Sequence, residues 1–143
     1  MVALTKGHYT VRLAQTEADI RAAQMLRARA FLGQRSKGAL DRDRFDRVCA
    51  HLLVEDRVTN RLVCCFRLLP LGAGTDIGQS YSAQFDDLSG LSAYPGRMVE
   101  LGRFCIDPDI RDPDILRVAW GAMTRYVDDN GIEMMFGCSS FKG

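Results

Sequence analysis

Glu100 and Arg103 stand three residues apart inside "RMVELGRFCIDPDIRD", where Met98, Val99, Leu101, Phe104, Cys105 and Ile106 read as buried sheet. Burying a charge costs on the order of several kcal/mol unless the charge is paired or used. On a regular strand, residues three apart face opposite sides. A bulge at Gly102 shifts that alternation and brings both side chains to one cleft. A carboxylate held there suits acceptance of a proton from an amine nucleophile, directly or through a water. The same residues serve equally well as a structural ion pair, Glu100–Arg103 or Glu100–Arg67.

Two further arginines interrupt apolar patterns. Arg67 sits in "CCFRLLPLG", and Arg27 shares a helical stripe with Ile20, Ala23 and Phe31. Between them Asp41, Asp43 and Asp46 alternate with Arg42, Arg44 and Arg47. Such a set suits a zwitterionic amino acid, with arginine on its carboxylate and aspartate on its amines. Taken singly, Arg27 reads as a snorkelling side chain and the aspartates as solvated.

The elements that must position these residues follow from pattern. "YTVRLAQT" alternates as a first strand. Thr16 opens "TEADIRAAQMLRARAFL" with Asp19 three residues on, a helix start of the capping-box kind. "GQRSKGALDRDRFD" is a polar, glycine-punctuated loop with one short helical turn. "CAHLLVEDRVTNRLVCCFRLLPLG" predicts a hairpin turning at "DRVTNR", its second arm ended by Pro70 with Gly72. A long connection follows, with a helical turn at "AQFDDLSGL". "DPDILRVAWGAMTRYVDDNG" is the clearest helix, with Asp112 at the N-cap, Pro113 at N1 and Gly131 as the stop. Ile115, Ala119, Ala122, Met123 and Tyr126 form its buried stripe. "EMMFGCSSF" predicts a last strand, parallel to the one holding Glu100. The order implies an α/β (α+β) domain with a largely antiparallel sheet and one late crossover helix.

Composition bounds the rest. The 143 residues suffice for one core, and 47% hydrophobic with 26% charged residues describes an ordinary globular chain. No apolar run approaches the roughly 20 residues that span a bilayer, and "MVALTKGHYT" turns polar before a signal core forms. The five cysteines read as buried reduced thiols, and Cys49-x-His51 as too little for a metal site. Ser139 and Ser140 have no histidine in a motif to activate them. Residues 21–67 carry eleven Lys/Arg against five Asp/Glu, and residues 68–143 six against eleven. A basic first half suits an acidic protein or an anionic membrane surface.

Several segments together resemble one family. "RARAF" (27–31), "DRDRFD" (41–46), "CAHLLVED" (49–56), "FRLLP" (66–70), "YSAQFD" (81–86), "ELGRFCIDPDIR" (100–111) and "FGCSS" (136–140) are similar to the GNAT-like L-ornithine N-acyltransferases. The related acyl-homoserine-lactone synthases share part of the pattern. They typically carry tryptophan after the first helix, whereas Trp120 lies in the late helix here.

The resemblance implies a GNAT-like fold with a mixed, mostly antiparallel V-split sheet, its C-terminal strands lying beyond this chain. It implies transfer of a 3-hydroxyacyl group from acyl carrier protein to the α-amine of L-ornithine, the first step toward ornithine lipid. Glu100 becomes the proton acceptor, and Arg27, Phe31, Asp43, Asp46, Arg67 and Arg103 shape or bind at the cleft. No cofactor or metal is implied, because the acyl-pantetheine arm of the carrier protein is itself the donor. Expected partners are acyl carrier protein and L-ornithine, with no nucleic acid. Expected placement is cytoplasmic, with peripheral contact at the inner face of the membrane. The alternatives are a synthase using S-adenosylmethionine, and an incomplete domain that binds carrier protein without turnover. The helix start "DIRDPDI" departs from the glycine-rich pyrophosphate turn of ordinary GNAT enzymes, since Pro113 removes an N–H while Asp112 and Asp114 add negative charge. A carrier protein, whose arm bears one phosphate, suits that start better than free coenzyme A.

Overall fold

The computed structural model describes residues 4–33, 40–73, 76, 79–80 and 94–137. Six strands form one sheet in the order β1 to β6: Leu4–Lys6, Tyr9–Leu13, Ala50–Asp56, Arg61–Leu71, Met98–Ile106 and Met134–Phe136. All neighbours are antiparallel except β5 and β6. Helix α1 (Glu17–Leu32) follows β2, and helix α2 (Pro113–Asp129) makes the β5–β6 crossover. The α+β architecture and the parallel last pair agree with the sequence reading. The expected helical turn at 83–91 and the residues of "FGCSS" past Gly137 lie outside the described residues.

Capping sets the helix boundaries. The Thr16 hydroxyl accepts the Asp19 N–H while the Asp19 carboxylate accepts the Thr16 N–H, and Arg12 grips the same carboxylate at 2.9 Å. At α2 the Asp112 carboxylate accepts the Asp114 N–H, Pro113 takes the first turn, and Gly131 turns the chain away at φ 62°.

The two helices cover opposite faces of the sheet. Ile115, Val118, Ala119, Ala122, Met123 and Tyr126 of α2 pack on Val11, Leu52, Val54, Phe66 and Leu68. Ala23 and Leu26 of α1 pack on Leu53, Cys65 and Cys105. Beyond them Phe45 joins Leu69, Leu71 and Met98 in a separate cluster. Glu100 lies opposite Leu69 and Arg67 opposite Gly102, and cross-strand partners share a face. The two charged residues therefore lie on the α1 side.

Two details differ from the sequence reading. One strand was expected at the start, but Leu4–Lys6 pairs with Tyr9–Leu13 through a turn at Gly7. β4 ends at Leu71, between Pro70 and Gly72 as expected. β3 begins at Ala50, opposite Leu68, so at Pro70 the strand has β5 on one side only, and a residue lacking an N–H is tolerated there. The second difference concerns the bulge.

Candidate active site

Between Cys65–Cys105 and Arg67–Gly102 the β4–β5 register slips by one residue, so Arg103 and Phe104 together face Phe66. The expected bulge is present, but the left-handed residue is Arg103, at φ 50°, rather than Gly102. A Cβ on Gly102 would sit 3.5 Å from the Arg67 side chain, an ordinary contact, so Arg67 packs directly over this position. The slip turns Phe104 toward the α2 face, where it stacks on Phe66 at 5.7 Å. It turns Arg103 toward α1, where its guanidinium lies 5.3 Å from the Phe31 ring and its Nε 3.5 Å from Asp41. Glu100 and Arg103 thus reach one side of the sheet.

A left-handed arginine stores strain of about 1–2 kcal/mol. Arg103→Gly is expected to stay within about 1 kcal/mol of the parent in urea unfolding, because relieved strain offsets lost contacts. Arg103→Val, β-branched at the same φ, is expected to lose about 1–3 kcal/mol. Equal losses for the two variants would mean that the bulge is not left-handed in solution.

The aspartate loop packs against this face. Asp43 and Asp46 cap the 3-10 turn Arg44–Arg47 reciprocally, which points Asp46 inward. Arg27 donates to Asp46 through Nη1 at 2.7 Å and to Asp41 through Nε at 2.9 Å. Arg67 holds Asp43 with two nitrogens, at 2.7 and 2.9 Å, and reaches Asp46 at 2.9 Å. Gln24 donates to Asp46 at 3.0 Å, and the His51 ring bonds the Asp46 carbonyl at 2.8 Å. Arg27, Asp46, His51, Arg67 and Glu100 are all buried.

Burial alone would push the Asp46 carboxyl up, but the Arg27 and Arg67 guanidiniums outweigh it and hold the group at about 2. Asp43 is held low in the same way by Arg67. Burial pushes His51 down and keeps its ring neutral. Burial raises the Cys49 thiol to about 11, with Arg67, Asp46 and Glu100 all near enough to act on it, so Cys49 stays protonated and is no nucleophile. Among the described residues, no group of three His, Cys, Asp or Glu side chains could hold a metal ion.

The residues expected to meet a zwitterion therefore bind one another first. Three guanidiniums, Arg27, Arg67 and Arg103, pair with three carboxylates, Asp41, Asp43 and Asp46, and buried Glu100 adds a fourth carboxyl group on the same side of the sheet, a formal balance that favours a cationic ligand. Phe31 lies at the rim, about two-fifths exposed. Gln24, Asp41, Phe45 and His51 complete the site. Asp41 was legible as one of the alternating aspartates. His51 and Gln24 had no local signal, since their roles depend on where the turn docks.

The β5–β6 pairing runs from Met98–Met134 to Glu100–Phe136, while β5 continues to Ile106. At Gly137 a Cβ would fall on the Leu101 carbonyl oxygen, so only glycine fits there. Buried Glu100 lies in the last β5–β6 pair among the described residues.

Comparison with known proteins bears on the family and the fold. The family described as "Acetyltransferase (GNAT) domain" matches residues 26–121. The L-ornithine N(alpha)-acyltransferase of Rhodobacter capsulatus is 34% identical, the match covering 94% of this chain and 57% of that protein. The protein of the same name from Brucella abortus is 36% identical, over 96% of this chain and 54% of its own length. The chain spans about half the length of the curated relatives it matches. Among solved structures, the acyl-homoserine-lactone synthase LasI superposes with a TM-score of 0.63 at 19% identity, covering 91% of this chain and 71% of its own. FeeM, an N-acyl amino acid synthase from uncultured soil microbes, gives 0.61 at 13% identity, covering 89% and 70%. Fold, sheet order and family match agree, and the chain belongs to the GNAT acetyltransferase family.

Proposed function

We propose that this chain carries the transfer centre of an L-ornithine N-acyltransferase. The neutral α-amine of ornithine attacks the carbonyl carbon of a 3-hydroxyacyl thioester on acyl carrier protein. Glu100 takes the amine proton, directly or through a water, as the C–N bond forms. A backbone N–H near the bulge steadies the oxyanion. Collapse breaks the C–S bond, the carrier thiolate leaves and takes up a proton, and lyso-ornithine lipid is the product. The Arg27–Asp46–Arg67 lock forms the wall against which the amino acid lies, and the surplus of carboxyl groups suits its side-chain ammonium.

The observation that carries this reading is a buried glutamate on β5, near the same Cys49 that Asp43, Asp46 and Arg67 surround. The names of the relatives supply the acceptor. The N-terminus of α2 supports the donor. Asp112 already fills it, bonded to the Asp114 N–H at 3.0 Å and to the Tyr9 hydroxyl at 2.6 Å. A pyrophosphate there would meet negative charge, so kcat/KM with acyl-coenzyme A is expected to fall on the order of tenfold below that with the acyl carrier protein. Equal values for the two donors would remove this support.

The test is release of carrier thiol from 3-hydroxyacyl carrier protein, with ornithine and S-adenosylmethionine supplied separately. Release with ornithine alone is the expected result. Release with S-adenosylmethionine alone, or with neither, would overturn the assignment for this chain.

A further inference from the structure

Cys65 and Cys105 stand directly opposite each other on β4 and β5, with their sulfurs 3.5 Å apart. In the chain they are separated by 40 positions. Both are buried beneath α1 beside Ala23, Leu26 and Leu53, and the Cys65 thiol also reaches the Ala23 carbonyl at 3.7 Å. The transfer chemistry proposed above uses neither of them.

Their placement suits a covalent bond. Positions directly opposite on antiparallel strands have Cα atoms about 4.5–5.5 Å apart, within the roughly 4.4–6.8 Å that a disulfide bridges. Bonded sulfurs lie about 2.05 Å apart, so about 1.5 Å remains to be closed, which side-chain rotation supplies. The other described cysteines are placed differently. Cys64 packs in the core on the α2 side, and Cys49 lies against the cluster around Phe45. The β4–β5 register slips just beyond the Cys65–Cys105 pair, and the interrupted ladder there offers a short route for local opening.

We infer that Cys65 and Cys105 form a reversible intramolecular disulfide when the protein meets a hydroperoxide. Cys105, the more exposed of the two, attacks the peroxide as its thiolate, the O–O bond breaks, and a sulfenic acid and water result. The Cys65 sulfur then attacks the sulfenic sulfur. The S–S bond forms, the S–O bond breaks, and the hydroxide leaves as water with the Cys65 proton. Two thiols lose two electrons and two protons, and the peroxide is reduced to two waters. The Cys105 contact and burial hold the Cys65 thiol well above the ordinary range, so it waits protonated as the resolving group. The bond pins β4 to β5 at one end of the bulge that carries Arg103. The inference does not rest on the catalytic assignment.

Peroxide treatment of the whole native chain, alkylation of the remaining thiols and tryptic mapping test it. Cleavage after Arg61, Arg67, Arg103 and Arg111 puts the two cysteines in separate peptides, 62–67 and 104–111. The expected product is these two peptides joined, at their summed mass less two hydrogens, with fragmentation placing the bond on Cys65 rather than Cys64. Dithiothreitol should release them, and Cys105→Ala should not form the product. The same treatment in urea is expected to scatter the bonds over other pairs. The thermal midpoint of the oxidised chain should lie at least about 3 °C above that of the same sample after dithiothreitol, because the bond closes a long loop. Bonding through Cys64 or Cys49 instead, sulfinic acid at Cys105 with Cys65 still free, or equal yield of the linked pair in urea would overturn the proposal. So would an unchanged or lowered midpoint, which would mean that the bond forms only by distorting the native register.

Discussion

Glu100→Gln is expected to lower kcat with ornithine by about 10²–10⁴-fold while the chain stays folded. The substitution keeps the shape of the side chain and removes its capacity to hold a proton. Because glutamine is neutral, the change leaves no new buried charge, and the fold should notice it little. The expected signature is therefore selective. Unfolding in urea stays within about 1 kcal/mol, KM for ornithine moves less than kcat, and the loss appears in the chemical step.

A pH profile sharpens the test. At neutral pH ornithine's α-amine is mostly protonated, and the attacking form grows as the pH rises for parent and variant alike. Glu100 acts on the neutral amine as the C–N bond forms, so the gap between parent and variant should persist as the pH rises. A purely structural Glu100–Arg67 or Glu100–Arg103 pair would behave differently, with stability falling alongside rate. If turnover of the variant stayed within twofold of the parent, Glu100 would not be the proton acceptor.

What could be read from the sequence was whatever local chemistry decides. The Thr16–Asp19 box, the Asp112–Pro113 start and the Gly131 stop each place a helix end through contacts within a few residues. A three-residue strand of mixed polarity, Leu4–Lys6, has no comparable local signal and exists only because β2 offers an edge. The bulge shows the same limit. Gly102 announced a break in alternation, yet the left-handed φ fell on Arg103, where Phe31 and Asp41 receive its guanidinium. Residues 41–47 alternate acid and base, so many pairings were open. The choice is made by the reciprocal cap of Asp43 and Asp46, spaced as in Thr16–Asp19, once Phe45 seats beside Leu69 and Met98.

That turn carries the largest expected effect on stability. Asp46 receives Arg27, Arg67 and Gln24 and caps its own turn, so Asp46→Ala removes the carboxylate that two buried guanidiniums share and leaves Arg27 with Asp41 and Arg67 with Asp43. The expected cost is about 3–5 kcal/mol in urea unfolding at neutral pH. Removing one of the two guanidiniums as well, Arg27→Met, should recover part of that loss, since a buried guanidinium that has lost a partner costs more than an apolar side chain of similar length. The sign with pH follows from the low carboxyl value. The folded state holds Asp46 at about 2, below the ordinary carboxylate range near 4, so it binds that proton less readily than the unfolded chain. Its contribution is fully present above about pH 4 and is lost as pH falls toward about 2. The gap between parent and Asp46→Ala should be flat from neutrality down to about pH 5 and then close in acid. A gap that stayed constant down to acid would mean that the turn, rather than the charge pair, accounts for the loss, and that the wall of the cleft stands without its ion pairs.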